Sequence, residues 1–327
     1  MVKDATHPSS SPTPVHIVTG FLGAGKTTFL NHWIQTSPDE RIMVLENEVG
    51  AVNLDSGWIE GSFQPPVELT AGCLCCSLNQ ELIEMLDMLS KQRADFDRLV
   101  IETTGVANPE SLAEPFLTMS HLERHFKLQN VLCLVDAGNF SHWLSEAEES
   151  RRQVAFADAL LINKTDTLEP DQAAETVQLV QRINPQARAY TGVQGAFPVP
   201  ILRELHSFAG EGAVAQQRQV ADDHRSENHG ISTFTLTFDR PFDLRGLSQA
   251  LRQLLTINRH QIYRIKGLLH AHDHPAPVVL QSVYRNFVLT DRPPWPPEEP
   301  RQSKVVIIGK ELKKEALHKV FARHLMR

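Results

Sequence analysis

From Val15 to about Leu205 the chain alternates short apolar runs with amphipathic stretches. The runs read VHIVT, RIMVLE, DRLVIET, NVLCLVDA, DALLINK and ARAYTG. Between them, LNQELIEMLDMLSKQ places Leu78, Leu82, Leu86 and Leu89 at helical spacing, and QAAETVQLVQRIN does the same with Val177, Val180 and Ile183. Short apolar strands separated by helices predict a mostly parallel sheet covered on both faces, a doubly wound α/β domain of about 190 residues.

Residues 207–230, SFAGEGAVAQQRQVADDHRSENHG, mix Gly, Gln and charge without sustained apolar periodicity and read as a linker or surface excursion. After them the pattern changes. ISTFTLTF alternates like a strand and DLRGLSQALRQLLTI is amphipathic. IYRIKGLLHAHD, PVVLQSVYRNFVLTD and SKVVIIGKE are strand-like, and KKEALHKVFARHL closes as a helix. That order predicts a smaller, mostly antiparallel α+β domain. The expected organisation is a leader at 1–14, the α/β domain at 15–206, a linker at 207–230 and the second domain at 231–327.

Composition narrows the partners. The 327 residues carry a formal net charge of -7, which gives no general attraction to nucleic acid or to anionic lipid. No apolar run approaches the ~20 residues of a membrane span. The Pro- and Ser-rich start MVKDATHPSSSPTP lacks a signal-peptide core, so the expected location is cytoplasmic. In that reducing compartment clustered thiols read as metal ligands or redox groups.

The string GFLGAGKTT follows the strand HIVT and opens a helix, the context that a phosphate-binding loop requires. Gly20, Gly23 and Gly25 let the backbone curl so that its N–H groups, those of Ala24 and Thr28 among them, converge on phosphate at a helix N-terminus. Lys26 neutralises the β- and γ-phosphates, and the Thr27 hydroxyl is a ligand for Mg²⁺. NKTD follows the strand ALLI. There the Asp166 carboxylate can accept both the N1–H and 2-amino hydrogens of guanine, a donor pair adenine lacks. Asn163 can contact the ring's acceptor edge while the Lys164 stem covers its face, so GTP is favoured over ATP. In LVIETTG, Glu102 supplies a second acidic group near the metal, and Gly105 can bring its N–H close to the γ-phosphate.

GCLCCS places Cys73, Cys75 and Cys76 within four positions. Cys-x-Cys-Cys lacks the paired spacing of a closed four-thiolate zinc site, and its open ligand set suits exchange of metal better than storage. The helix starting near Leu78 favours thiolates at its positive end. LENEVGAVNLD supplies Glu46, Glu48 and Asp55. One of these completes the metal set in one nucleotide state, or the loop is simply solvated. HAHDH sets His270, His272 and His274 at alternate positions: an extended backbone would put all three on one face for a metal, whereas Pro275 and Pro277 favour an exposed hairpin tip. His224 and His229 in the linker are weaker candidates, and Cys133 reads as a small core residue.

Together TGFLGAGKTT, ENEVG, GCLCCS, VIETTG, VDA, NKTD, YRIKGLL and VVIIG resemble the CobW and YjiA-like metal-associated P-loop GTPases, relatives of the urease and hydrogenase nickel-insertion GTPases. The resemblance implies a P-loop GTPase domain followed by a CobW carboxy-terminal domain, with low intrinsic turnover. It implies zinc at the Cys-x-Cys-Cys loop, held by Glu46, Cys75 and Cys76 with Cys73 in support, and delivery to client apoproteins driven by GTP hydrolysis. It leaves cobalt and iron open as metals and a metal- or nucleotide-dependent homo-oligomer open as assembly. The position after ENEVG, often acidic in relatives, is Ala51 here, which removes that group from any metal geometry. Readings from other classes are a zinc buffer and a P-loop small-molecule kinase, the latter giving NKTD no role.

Overall fold

The structure, a computed structural model, describes residues 11–47, 67–68, 77–92, 95–205, 224–226, 230–291, 293–295 and 301–326. In its first part, β1 (Thr13–Gly20), β2 (Ile42–Asn47), β3 (Val67–Glu68), β4 (Arg98–Thr103), β5 (Phe126–Asp136), β6 (Ala159–Asn163) and β7 (Arg188–Thr191) form one parallel sheet. Its order is β3-β2-β4-β1-β5-β6-β7. Each apolar run of the sequence became a strand.

Parallel strands are buried on both faces, so alternate residues of one run serve two different cores. Ile17, Leu45, Leu99 and Ile101 pack under α2 (Ser77–Lys91) and α3 (Pro109–Thr118) with Leu82, Leu86 and Phe116. Their neighbours Val18, Val44 and Val100 face the opposite side, against Phe29 and Trp33 of α1 (Lys26–Gln35). Cys133 is 1% exposed in a third cluster with Val154 and Val180, the core role expected of it. Helices α4 (Ser120–Glu123), α5 (Phe140–Glu146), α6 (Glu148–Phe156), α7 (Pro170–Ile183) and α8 (Val199–Glu204) complete the layers.

The second sheet is antiparallel throughout, in the order β12-β11-β10-β13-β9-β8. It comprises β8 (His224–Ser226), β9 (Ile231–Phe238), β10 (Ile262–Leu269), β11 (Val278–Val283), β12 (Asn286–Asp291) and β13 (Ser303–Lys310). Two details differ from the sequence reading. His224–Ser226, inside the segment read as a linker, pairs with β9 as an edge strand. PVVLQSVYRNFVLTD is not one strand but a hairpin, folded at Tyr284, whose φ of 53° allows the two-residue turn between Val283 and Asn286. The polar tyrosine-arginine pair there carries none of the Gly or Asn that normally signals such a turn.

One face of this sheet is covered by α9 (Leu244–Ile257) and α10 (Lys314–Ala322). Leu247, Leu251, Leu254 and Leu255 recur at helical spacing and pack on Phe234, Leu236 and Ile307. The Asp243 side chain caps α9, accepting from the Arg245 and Gly246 amides at 3.0 and 3.2 Å. The other face docks on the first domain. Ile231, Tyr263, Val306 and Ile308 join the cluster containing Val154 and Ile183.

Charges are buried in that junction. Arg264, on β10, pairs with Asp158 at 2.9 Å, donates to the Phe156 carbonyl and lies with its guanidinium 4.5 Å from the centre of the Phe156 ring. Glu110, at the start of α3, is 2% exposed and lies 3.6 Å from Arg152 of α6. Burial pushes the Glu110 carboxyl up to about 7, with Arg152 and Arg264 opposing the rise. The unfolded carboxyl loses its proton near 4.5, so the folded state holds a proton that the unfolded state has lost. Stability should therefore fall as pH rises from about 4.5 to about 7 and then level off. Glu110→Gln is expected to flatten that slope, which is on the order of 3 kcal/mol in full. Denaturant midpoints of both proteins at pH 5 and 7.5 check it; parallel curves would mean that Glu110 is ionised throughout.

Candidate functional site

The loop from Gly20 to Lys26 leaves the carboxyl end of β1, the central strand, with β4 and β5 on either side. Ligands bind at this point in doubly wound sheets because the flanking connections diverge there. Gly25 is the residue before α1 and has a φ of 97°. A Cβ on it would lie 2.4 Å from Asn163 Nδ2, so only glycine fits. Lys26 Nζ donates to the carbonyl of Gly20 at 2.9 Å and reaches that of Phe21 at 3.5 Å. Burial lowers the Lys26 pKa, and the facing Glu102 works against that fall.

Glu102 and Thr27 meet beside the loop. Strand β4 lies beside β1 with Glu102 opposite Val18, and Thr27 Oγ1 donates to Glu102 Oε1 at 3.0 Å. Both are hard oxygen donors, the type that could hold Mg²⁺ alongside phosphate and water. On the far side of β4, Glu46 of β2 stands in register with Glu102, and Glu68 of β3 in register with Glu46. Adjacent strands lie roughly 4.8 Å apart, and side chains at equal register leave the same face, as those of Glu46 and Glu102 do.

At the other end of the loop, Asn163 closes β6. Its Nδ2 donates to the Ala24 carbonyl at 3.0 Å and its Oδ1 accepts from the Gly195 amide at 3.1 Å. Its side chain thereby braces the phosphate loop against the 192–196 turn. Lys164 follows with a φ of 62° and donates to Asp136 Oδ2 at 2.8 Å, which fixes the stem proposed to cover the base. Burial alone would raise the Asp136 carboxyl, but hydrogen bonds from Lys164 and Asn139 leave it below the usual range. Asp166 lies exposed on the 3-10 turn Thr165–Thr167. Asp136 was visible only as the acid of VDA; nothing in its spacing announced a partner 28 residues on.

A family model for the CobW/HypB/UreG nucleotide-binding domain matches residues 14–191, and one for the cobalamin synthesis protein cobW carboxy-terminal domain matches 231–325. The chain belongs to the CobW family. It is 33% identical to the zinc chaperone YjiA of Escherichia coli over 316 residues, covering 95% of this chain and 98% of that protein. The zinc chaperone CobW of Pseudomonas aeruginosa is 30% identical, with 93% and 89% covered. The crystal structure of Zn(II)-bound YjiA GTPase superposes with a TM-score of 0.74 at 30% identity, over 97% of this chain and all of that one.

For this CobW-family chain the thiol cluster Cys73, Cys75 and Cys76 lies outside the described residues, as do Glu48, Ala51 and Asp55. The flanks of the thiol segment are described: Glu68 at the end of β3 and Ser77 at the start of α2. Glu46 is described, half-buried at the end of β2.

The histidine run divides. Strand β10 ends at Leu269, and the backbone turns: Phe242 N donates to the His270 carbonyl and His272 N to the Phe242 carbonyl. His270 stands edge-on to Trp295, His272 lies 3.8 Å from Asp273 and His274 lies 3.9 Å from Asp291. The extended arrangement that would align the three rings is not what forms. Among the described residues no group of three His, Cys, Asp or Glu is gathered to hold a metal. His229 lies outside the described residues, and His224 sits on the edge strand β8.

Two contributors escaped sequence reasoning, Arg152 and Gln153 of α6. Gln153 Nε2 donates to the carbonyls of Gly105 at 3.0 Å and Ala107 at 3.2 Å. RRQVAF has no motif, and its role comes wholly from where the helix docks.

Proposed function

We propose that this protein is a GTP-hydrolysing zinc metallochaperone that binds zinc through Cys75, Cys76 and Glu46, with Cys73 in support, and passes it to client apoproteins. The register of Glu46 with Glu102 carries the reading. Glu102 sits at hydrogen-bond distance from the Thr27 hydroxyl, and the next strand's carboxylate is the one expected to ligate the cargo metal. A nucleotide-dependent shift at the end of β4 therefore has one strand to cross before it reaches a zinc ligand. The names of the relatives support the same direction. Two are zinc chaperones, and one from Schizosaccharomyces pombe, 28% identical over 92% of this chain, is a zinc-regulated GTPase metalloprotein activator.

Within the site, Lys26 and the amides of Gly23, Ala24, Gly25 and Thr28 hold the phosphates. Asp166 reads guanine, Lys164 covers it and Asn163 braces the loop. Gly105 presents its amide to the γ-phosphate. Magnesium, held by Thr27 and Glu102, neutralises charge on the phosphates when nucleotide is bound. Clients are metalloproteins awaiting zinc. No described helix is long and apolar enough to cross a membrane.

The test is linkage. Zinc affinity measured with a non-hydrolysable GTP analogue and with GDP should differ by roughly 5- to 150-fold. Equal affinities would leave a buffer whose nucleotide site does not speak to its metal. ATP outcompeting GTP would favour the kinase.

A further inference from the structure

The loop after β4 is clamped from two sides. Gly105 approaches the phosphate loop so closely that a Cβ on it would lie 2.6 Å from the Leu22 amide nitrogen and 2.5 Å from Leu22 Cδ2. Behind it, Gln153 holds the Gly105 and Ala107 carbonyls, as described above. Gln153 is 1% exposed, and its Oε1 has no hydrogen-bond partner among the described residues. A buried carbonyl left unpaired is costly, so this carboxamide is only half satisfied in the present arrangement.

The preceding residue faces the other domain. Successive residues of an α-helix project about 100° apart, so Arg152 points away from Gln153. Its guanidinium sits 4.6 Å over the Tyr263 ring of β10, and its Nη2 approaches the His260 carbonyl at 3.4 Å. Arg152 also pairs with Glu148 at 3.0 Å and faces Glu110 at 3.6 Å. Glu110 opens α3 straight after the loop, with its amide capped by Asn108 at 3.1 Å. One short helix thus grips the nucleotide-facing loop with one side chain and the carboxy-terminal sheet with the next.

We propose that Gln153 is a positioning residue for Gly105, and that the adjacent pair Gln153–Arg152 is the link through which the loop reports the γ-phosphate to the carboxy-terminal domain. This rests on the GTP reading above. When a γ-phosphate draws the Gly105 amide, the Gly105 and Ala107 carbonyls move with it and Gln153 follows. Helix α6 then shifts Arg152 against Tyr263 and Glu110. The carboxy-terminal sheet is informed of hydrolysis through the contact that Arg152 already makes with Tyr263.

Hydrogen–deuterium exchange on the full chain tests it, comparing a non-hydrolysable GTP analogue with GDP. The amides of Ile262–Leu269 are expected to exchange at rates differing by about threefold or more between the two nucleotides, the lower end of ordinary coupling. In Gln153→Met, which keeps volume and removes the donor, that difference is expected to vanish, and the preference for the analogue over GDP to drop about fivefold or more with GDP affinity unchanged. Tyr263→Leu cuts the link at its far end. It should abolish the exchange difference in β11, Val278–Val283, while leaving the analogue-over-GDP preference intact, and it serves if Gln153→Met does not fold. A merely structural role would alter exchange equally in both nucleotide states. Persistence of the difference in either folded variant overturns the link, as does a wild type that binds both nucleotides with identical exchange. Failure to bind GTP at all would instead remove the proposed function.

Discussion

Lys26→Ala is expected to lower GTP hydrolysis by roughly 10³-fold or more, the scale on which phosphate-clamping charges act in phosphoryl transfer. Lys26 Nζ spans the Gly20 and Phe21 carbonyls, which hold the ammonium against the loop. Burial disfavours its charge, and Glu102 offsets only part of that. Removing the ammonium takes away the side-chain cation that faces Glu102 and the incoming phosphates. Affinity should fall along with turnover. Phosphate release under single-turnover conditions, together with binding of a fluorescent GDP, separates the two losses. Turnover that survives in the variant would mean that the hydrolytic site is elsewhere.

The second large effect belongs to the thiols. Cys76→Ser should weaken Zn²⁺ binding by on the order of 10²- to 10³-fold, the share of one ligand in a site bound by several. GDP affinity should stay within about twofold, since that nucleotide lacks the phosphoryl group through which the sites speak. Substituting Co²⁺ gives an optical check, because a thiolate-to-cobalt band loses intensity with each sulfur removed. An unchanged band would take Cys76 out of the ligand set. The same titration on Glu46→Gln tests whether the strand beside Glu102 provides the oxygen ligand.

The layers of the fold were legible because burial of both sheet faces writes continuous apolar runs, as in VHIVT and DALLINK. The phosphate loop was legible for a different reason: only glycine can occupy Gly25 next to Asn163, so the constraint is printed in the residue itself. Contacts made by ordinary residues left no such mark. Gln153 reaches Gly105 across 48 positions, and Arg264 reaches Asp158 across 106. Neither pair has a spacing that a periodicity can detect. The histidine run misled in part because alternation implies one face only while the strand continues, and β10 stops at Leu269. Asn163 shows the same limit in miniature. Its motif pointed to the base and gave no sign of the brace that its carboxamide makes between the Ala24 carbonyl and the Gly195 amide.

The Arg264–Asp158 pair sits in the seam between the two domains. Both side chains are almost wholly sealed from solvent, at 3% and 1% exposure, and Lys266 stands 3.8 Å from the same carboxylate. Apolar residues seal the same seam: Ile231, Tyr263, Val306 and Ile308 pack there with Val154 and Ile183, and opening it would return that surface to water. The two halves are therefore expected to work as one packed body that stays closed along this seam.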